Sequence, residues 1–109
     1  MRLRYVMKFV ADMDKAVAFY RDVLGLKLRF ASPGWSEFET GATTLALHIA
    51  SDTHPAGSCQ TGFSVDDIDA FHREKAAQGV VFTHLPRMEH GHKLADFVDC
   101  EGAEVSVSD

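Results

Sequence analysis

The sequence is poor in the features that most simply betray a function. It has no cluster of lysines and arginines, and its formal net charge is −5 at pH 7. A protein that tracks phosphates trades counterions for basic side chains, so no nucleic-acid partner is expected. No apolar run approaches the length of a membrane span, and Arg2, Arg4 and Lys8 interrupt the N-terminal stretch before a signal-peptide core can form. No membrane partner is therefore expected, and a cytoplasmic location is. Only two cysteines are present, Cys59 and Cys100, too far apart to make a C-x-x-C pair. Neither a zinc knuckle nor a redox dithiol can be read from them, and both thiols are expected to be half-buried. Glycine-rich phosphate loops are missing, and no serine or cysteine stands in the elbow-like setting that activates a nucleophile.

What is present is an ordinary globular composition, 46% hydrophobic and 25% charged over 109 residues, which suits one domain with a real core. MRLRYVMKFV reads as a strand, and Asp12 or Asp14 can cap the helix that follows by accepting from its unpaired first amides. Ala16, Val17, Phe19, Tyr20, Val23 and Leu24 recur at helical spacing, predicting one helix over about 14–24 that Gly25 stops. KLRF, WSEFET and TTLALHI are then short β-rich runs parted by turn residues, so the first half reads β-α-β-β-β.

The chain then repeats itself. FVADM at 9–13 matches SVDDI at 64–68, with Val10 on Val65, Asp12 on Asp67 and Met13 on Ile68, an offset of 55 (10 to 65). A second helical run, Ile68, Ala70, Phe71, Lys75 and Ala76, again ends at a glycine, Gly79, before GVVFTH, KLADFVD and AEVSVSD. The closing strands also correspond, Leu45 and Leu47 matching Val105 and Val107. Two copies of one unit are encoded in tandem: module 1 about 1–50, a connector at 51–59 and module 2 about 60–109.

V-x-D-M-D-K-A-V-A-F-Y-R-D-V-L-G-L near the start and D-x-x-G-A-E-V-S-V at the end resemble the vicinal oxygen chelate superfamily, which includes glyoxalase I, bleomycin-resistance proteins and extradiol dioxygenases. The resemblance implies an α+β fold of two tandem βαβββ modules forming a curled mixed sheet around a cleft, commonly completed in a homodimer. In the metal-dependent members it implies one ligand from the first and one from the last strand of each module. Those positions fall here on Tyr5 and Gln60, and on Ala46 and Ser106. Alanine has no donor atom, tyrosine is a rare ligand and neutral serine a poor one, which leaves Gln60 alone.

By strand parity the inward residues are Tyr5, Met7, Phe9, Ala46, His48, Gln60, Ser64, Glu104 and Ser106, with Trp35 in a loop able to stack on a flat ligand. Glu37, Glu39, Asp96 and Glu104 bias such a cleft against anions. The expectation is a binder of a small molecule in a metal-free cleft, without a cofactor or assigned catalytic residue and leaning away from an enzyme, with antibiotic sequestration among its roles. The alternative is a divergent metal-dependent lyase, isomerase or dioxygenase holding one divalent ion by His48, Glu104 and His90 or His92. In that alternative an extended EHGH run puts His90 and His92 on one side.

Overall fold

The computed structural model describes residues 1–109. Its elements run β1 (Arg2–Val10), α1 (Met13–Ala18), β2 (Lys27–Phe30), β3 (Trp35–Glu39), β4 (Thr44–Ile49), β5 (Cys59–Ser64), α2 (Ile68–Ala77), β6 (Phe82–Glu89), β7 (His92–Val98) and β8 (Glu104–Ser108). This is the α+β class, with a βαβββ order in each half. Chain contacts divide it into a first unit, Tyr5–Cys59, and a second, Gln60–Asp109 together with Met1–Arg4.

In the first unit the strand order is β2-β3-β4-β1, with β1 and β4 parallel and the hairpins β2–β3 and β3–β4 antiparallel. The helix begins where the capping carboxylate predicts: Asp12 is extended and its Oδ1 accepts from the Lys15 amide at 3.1 Å. The expected single helix over 14–24 is not uniform. After Ala18 it widens into a π-helical turn, Phe19–Val23, closed by the Leu24 amide on the Phe19 carbonyl at 3.1 Å. Gly25 then adopts φ +73°, which lets the Leu26 amide reach back to the Tyr20 carbonyl. One face of α1 drives Met13 and Val17 into Phe38 and Leu47, the latter two fully buried, with Tyr20, Leu28 and Leu45 around them.

The second unit repeats the plan as β5-β8-β7-β6, with β5 parallel to β8. Asp67 caps α2 through the Ala70 amide at 3.0 Å. Gly79 (φ +93°) closes it, with its amide on the Ala76 carbonyl and the Val80 amide on the Lys75 carbonyl. Ile68, Ala95 and Val107 form this unit's core with Phe71, Phe82 and Phe97 packed against them. Lys93 on β7 pairs with Asp69 in the first turn of α2, and that hydrogen bond raises the ammonium above its ordinary pKa.

Three local expectations are corrected. Of GVVFTH only Phe82 to His84 is strand, the start of a longer β6 that continues through Pro86 to Glu89 by absorbing two register shifts. Both the irregularities and the proline are tolerable because β6 lies at the outer end of its unit's strand order. EHGH does not take the extended form that the metal-holding alternative requires: His90 (φ 51°) and Gly91 (φ +79°) form a two-residue hairpin turn between Glu89 and His92, the double left-handed geometry that matches strand twist. Both cysteines are exposed and free rather than half-buried, Cys59 opening β5 and Cys100 lying in the turn after β7.

The matched caps and cores make a paired prediction. Asp12→Ala and Asp67→Ala should each cost about 1 kcal/mol in urea unfolding, and Phe38→Ala about 3–5 kcal/mol. Cap variants that unfold like the parent would show that the helix starts are held by packing alone.

Candidate functional site

In the first unit, Leu45 and Leu47 of β4 face α1, so Ala46 and His48 face the other way. The parallel register sets Met7 beside Ala46 and Phe9 beside His48, and the antiparallel register sets Trp35 opposite His48 and Glu37 opposite Ala46. Trp35 therefore opens β3 rather than riding in a loop. Ser32 fixes the entry turn, its Oγ accepting from the Trp35 amide at 3.2 Å and its hydroxyl donating to the Trp35 carbonyl.

The rings on this face touch in series. Tyr5 meets Trp35 edge-on with centroids 5.8 Å apart, and Trp35 meets His48 at 5.8 Å and 88°. Phe9 lies 5.3 Å from His48 and stacks on His54 of the connector at 4.5 Å and 19°. The connector is tied down there, since the Phe9 amide donates to the Ser58 carbonyl and the Gly57 amide to the Phe9 carbonyl. Trp35 Nε1 donates to Glu37 Oε2 at 2.8 Å, and Arg29 Nη1 holds Glu37 Oε1 at 2.8 Å, with only 12% of the Glu37 side chain exposed. The indole is thus fixed by a half-buried ion pair, and its face is held where it is before any ligand arrives.

The second unit carries a polar relay at the corresponding place. Gln60 Nε2 donates to Ser106 Oγ at 2.9 Å, and the Ser106 hydroxyl donates to Asp96 Oδ1 at 2.7 Å. Asp96 Oδ2 is held by Arg87 Nη2 at 3.2 Å and His84 Nδ1 at 3.1 Å, and Arg87 Nε also reaches Glu89. Arg87 Nη1 is buried without a partner, so packing as well as charge positions the guanidinium. Glu104 accepts from Thr83 Oγ1 at 3.0 Å.

Of the residues expected to face inward, Met7, Phe9, Ala46, Gln60 and Ser64 are buried, while Tyr5, Trp35, His48, Glu104 and Ser106 are half-buried and keep some surface. The acidic bias read from Glu37, Glu39 and Asp96 is corrected: each carboxylate has a cationic partner, Arg29, Lys27 and Arg87 respectively. The residues missed are the partners, Arg29, Arg87 and His84. One signal for them was the repeat, which puts Glu37 and Asp96 in register with Ala46 and Ser106 and leaves each buried carboxylate in need of a cation.

A divalent ion of the kind the resemblance implies does not fit these residues. Ala46 is fully buried and has no donor atom, and Ser106 is committed to Gln60 and Asp96. The alternative set is not assembled either. His92 pairs with Glu89 at one end of β7 while Glu104 pairs with Val98 at the other, six residues or about 20 Å away. His90 sits on the hairpin turn with 90% of its side chain exposed. No group of three His, Cys, Asp or Glu residues is disposed to hold a metal. No helix is long and apolar enough to cross a membrane.

The family model for the Glyoxalase/Bleomycin resistance protein/Dioxygenase superfamily matches residues 2–107. No curated protein sequence matches the chain significantly. Among solved structures, the chain is similar to the NAD-dependent benzaldehyde dehydrogenase of Legionella pneumophila (TM-score 0.78, 18% identity, covering 95% of this chain and 96% of that one). It is similar to the methylmalonyl-CoA epimerase of Streptomyces coelicolor in complex with 2-nitronate-propionyl-CoA (0.77, 18%, 99% and 96%). It also resembles a glyoxalase/bleomycin resistance protein/dioxygenase superfamily member of Vibrio splendidus (0.71, 16%, 97% and 97%). At these identities the likeness is one of fold.

The relay predicts an order of stability losses. Asp96→Ala leaves Arg87 facing no carboxylate at that position and should cost about 2–3 kcal/mol, against about 1 kcal/mol for Ser106→Ala. Chemical denaturation of both variants checks this, and equal losses would show that Asp96 is not the centre of the network.

Proposed function

The chain belongs to the Glyoxalase/Bleomycin resistance protein/Dioxygenase superfamily, and we propose that it acts there as a metal-independent binder of a small, flat organic molecule. The observation that carries this reading is the row of half-buried rings Tyr5, Trp35 and His48 on one face of the first unit, locked by the Arg29–Glu37 pair. A preorganised ring row provides apolar area and π surface at little entropic cost, which is what retains a planar ligand. The buried methyl of Ala46 next to it supports binding by contact rather than by coordination. An antibiotic held without turnover belongs to the ligand class so described.

The proposal includes a cytoplasmic, two-fold homodimer. Its support is that β2 and β6 end the strand orders of their units and that Leu85 and Met88 on β6 are exposed. Equilibrium sedimentation at micromolar concentration should give twice the chain mass, and a strict monomer would remove this part.

Binding is tested by thermal shift against planar aromatic compounds in the presence of a chelator. A ligand at ten times its Kd stabilises by about 1.4 kcal/mol, raising Tm by several degrees. Trp35 is the chain's one tryptophan, so its emission should move with the same titration. Trp35→Ala should lose the shift while keeping its circular dichroism. A library in which no compound moves either Tm or Trp35 emission would contradict the proposal.

A further inference from the structure

We propose that His48 selects the ligand by its hydrogen-bond donors: Nε2 accepts an N–H or O–H from the flat ring, an inference that rests on the stacking reading above. His48 Nδ1 lies 2.7 Å from the Ile49 carbonyl oxygen. A carbonyl can only accept, so Nδ1 carries the proton, and in the neutral imidazole Nε2 is then a bare lone pair. Nothing in the chain bonds to Nε2. Phe9 on one side and Trp35 on the other restrain the ring.

The neighbouring polar groups are already committed. Trp35 has a single donor, Nε1, and Glu37 takes it. The two Glu37 oxygens are occupied by Trp35 and Arg29, and Arg29 is divided between Glu37 and Thr44. No unpaired cation stands there for an anionic ligand, and Ala46 offers no competing donor or acceptor. Besides π surface the face therefore offers the Nε2 lone pair of His48 as an acceptor, with the Tyr5 phenol at the other end of the ring row. The complementary ligand class is an uncharged or cationic planar ring bearing a hydroxyl, a ring N–H or an amine. Rings without a donor leave Nε2 desolvated and unpaired, and are disfavoured.

The experiment is a two-bond proton–nitrogen correlation on the full chain with isotope-labelled histidine, at a pH where His48 is neutral, followed by titration with naphthol and with its methyl ether. The expected result is a pyrrole-like Nδ1 and a pyridine-like Nε2 for His48. Naphthol should move the His48 Nε2 and Trp35 indole signals and bind about tenfold more tightly than the ether. His48→Phe should erase that preference by weakening naphthol alone, and His48→Gln, which restores an acceptor, should recover part of it. A proton found on Nε2 of the neutral ring would overturn the inference. Equal affinity for the two compounds, with Trp35 perturbed by both, would overturn it and leave the stacking reading in place. If neither compound perturbs Trp35, the stacking reading falls and the inference with it.

Discussion

The ring-bearing face of the first unit depends on one packing constraint: Leu47 must bury its side chain against Met13, Val17 and Phe38. Because a strand alternates its faces with period two, that burial leaves Ala46 and His48 no choice but the opposite side. Register does the rest. The antiparallel partner of His48 is Trp35, its parallel partner is Phe9, and a slip of one residue would bury Glu37 against the helix and expose Phe38 to solvent. Burial of Leu47 thus aims the polar and aromatic groups of the opposite face.

The two units solve one local problem twice. Beside the last-strand position, Ala46 in one and Ser106 in the other, each places a carboxylate from its third strand and clamps it with an arginine. A largely buried carboxylate is tolerable only when paired and hydrogen-bonded. The donors that satisfy Glu37 and Asp96 therefore also fix what lies next to them, the Trp35 indole in the first unit and the Ser106–Gln60 relay in the second. At these positions the chain offers a methyl and a hydroxyl already committed to its neighbours, and the surrounding charges cancel locally.

Most of this plan is legible in the residues themselves. Asp12 and Asp67 at matching offsets, Gly25 and Gly79 closing the helices, and the alternation of TLALHI and EVSV specify two βαβββ units, because each signal is local. The π-helical turn after Ala18 is not legible, since it sets Tyr20 against the core while leaving Phe19 exposed, and no propensity signals it. The extent of β6 is hidden by Pro86, which a strand tolerates only at an edge, a tertiary fact. In EHGH the turn signal was present in His-Gly, but an extended reading keeps the histidines together and so favours a metal set that the hairpin does not form. Parity puts Tyr5 and His48 on one face, yet parity says nothing of Arg29 and Arg87, which reach their carboxylates from other strands.

The proposed binding mode is ring contact and hydrogen bonding without a resident ion. Elemental analysis of untagged protein, purified without chelator and then offered nickel, zinc, manganese and ferrous iron in turn, tests it most directly. Contact binding predicts well under one equivalent of any ion per chain, with Trp35 emission unchanged by each. One tightly held equivalent that disappears in His48→Ala would contradict it, turning the bare Nε2 of His48 from an acceptor for a ligand's proton into a ligand for a metal.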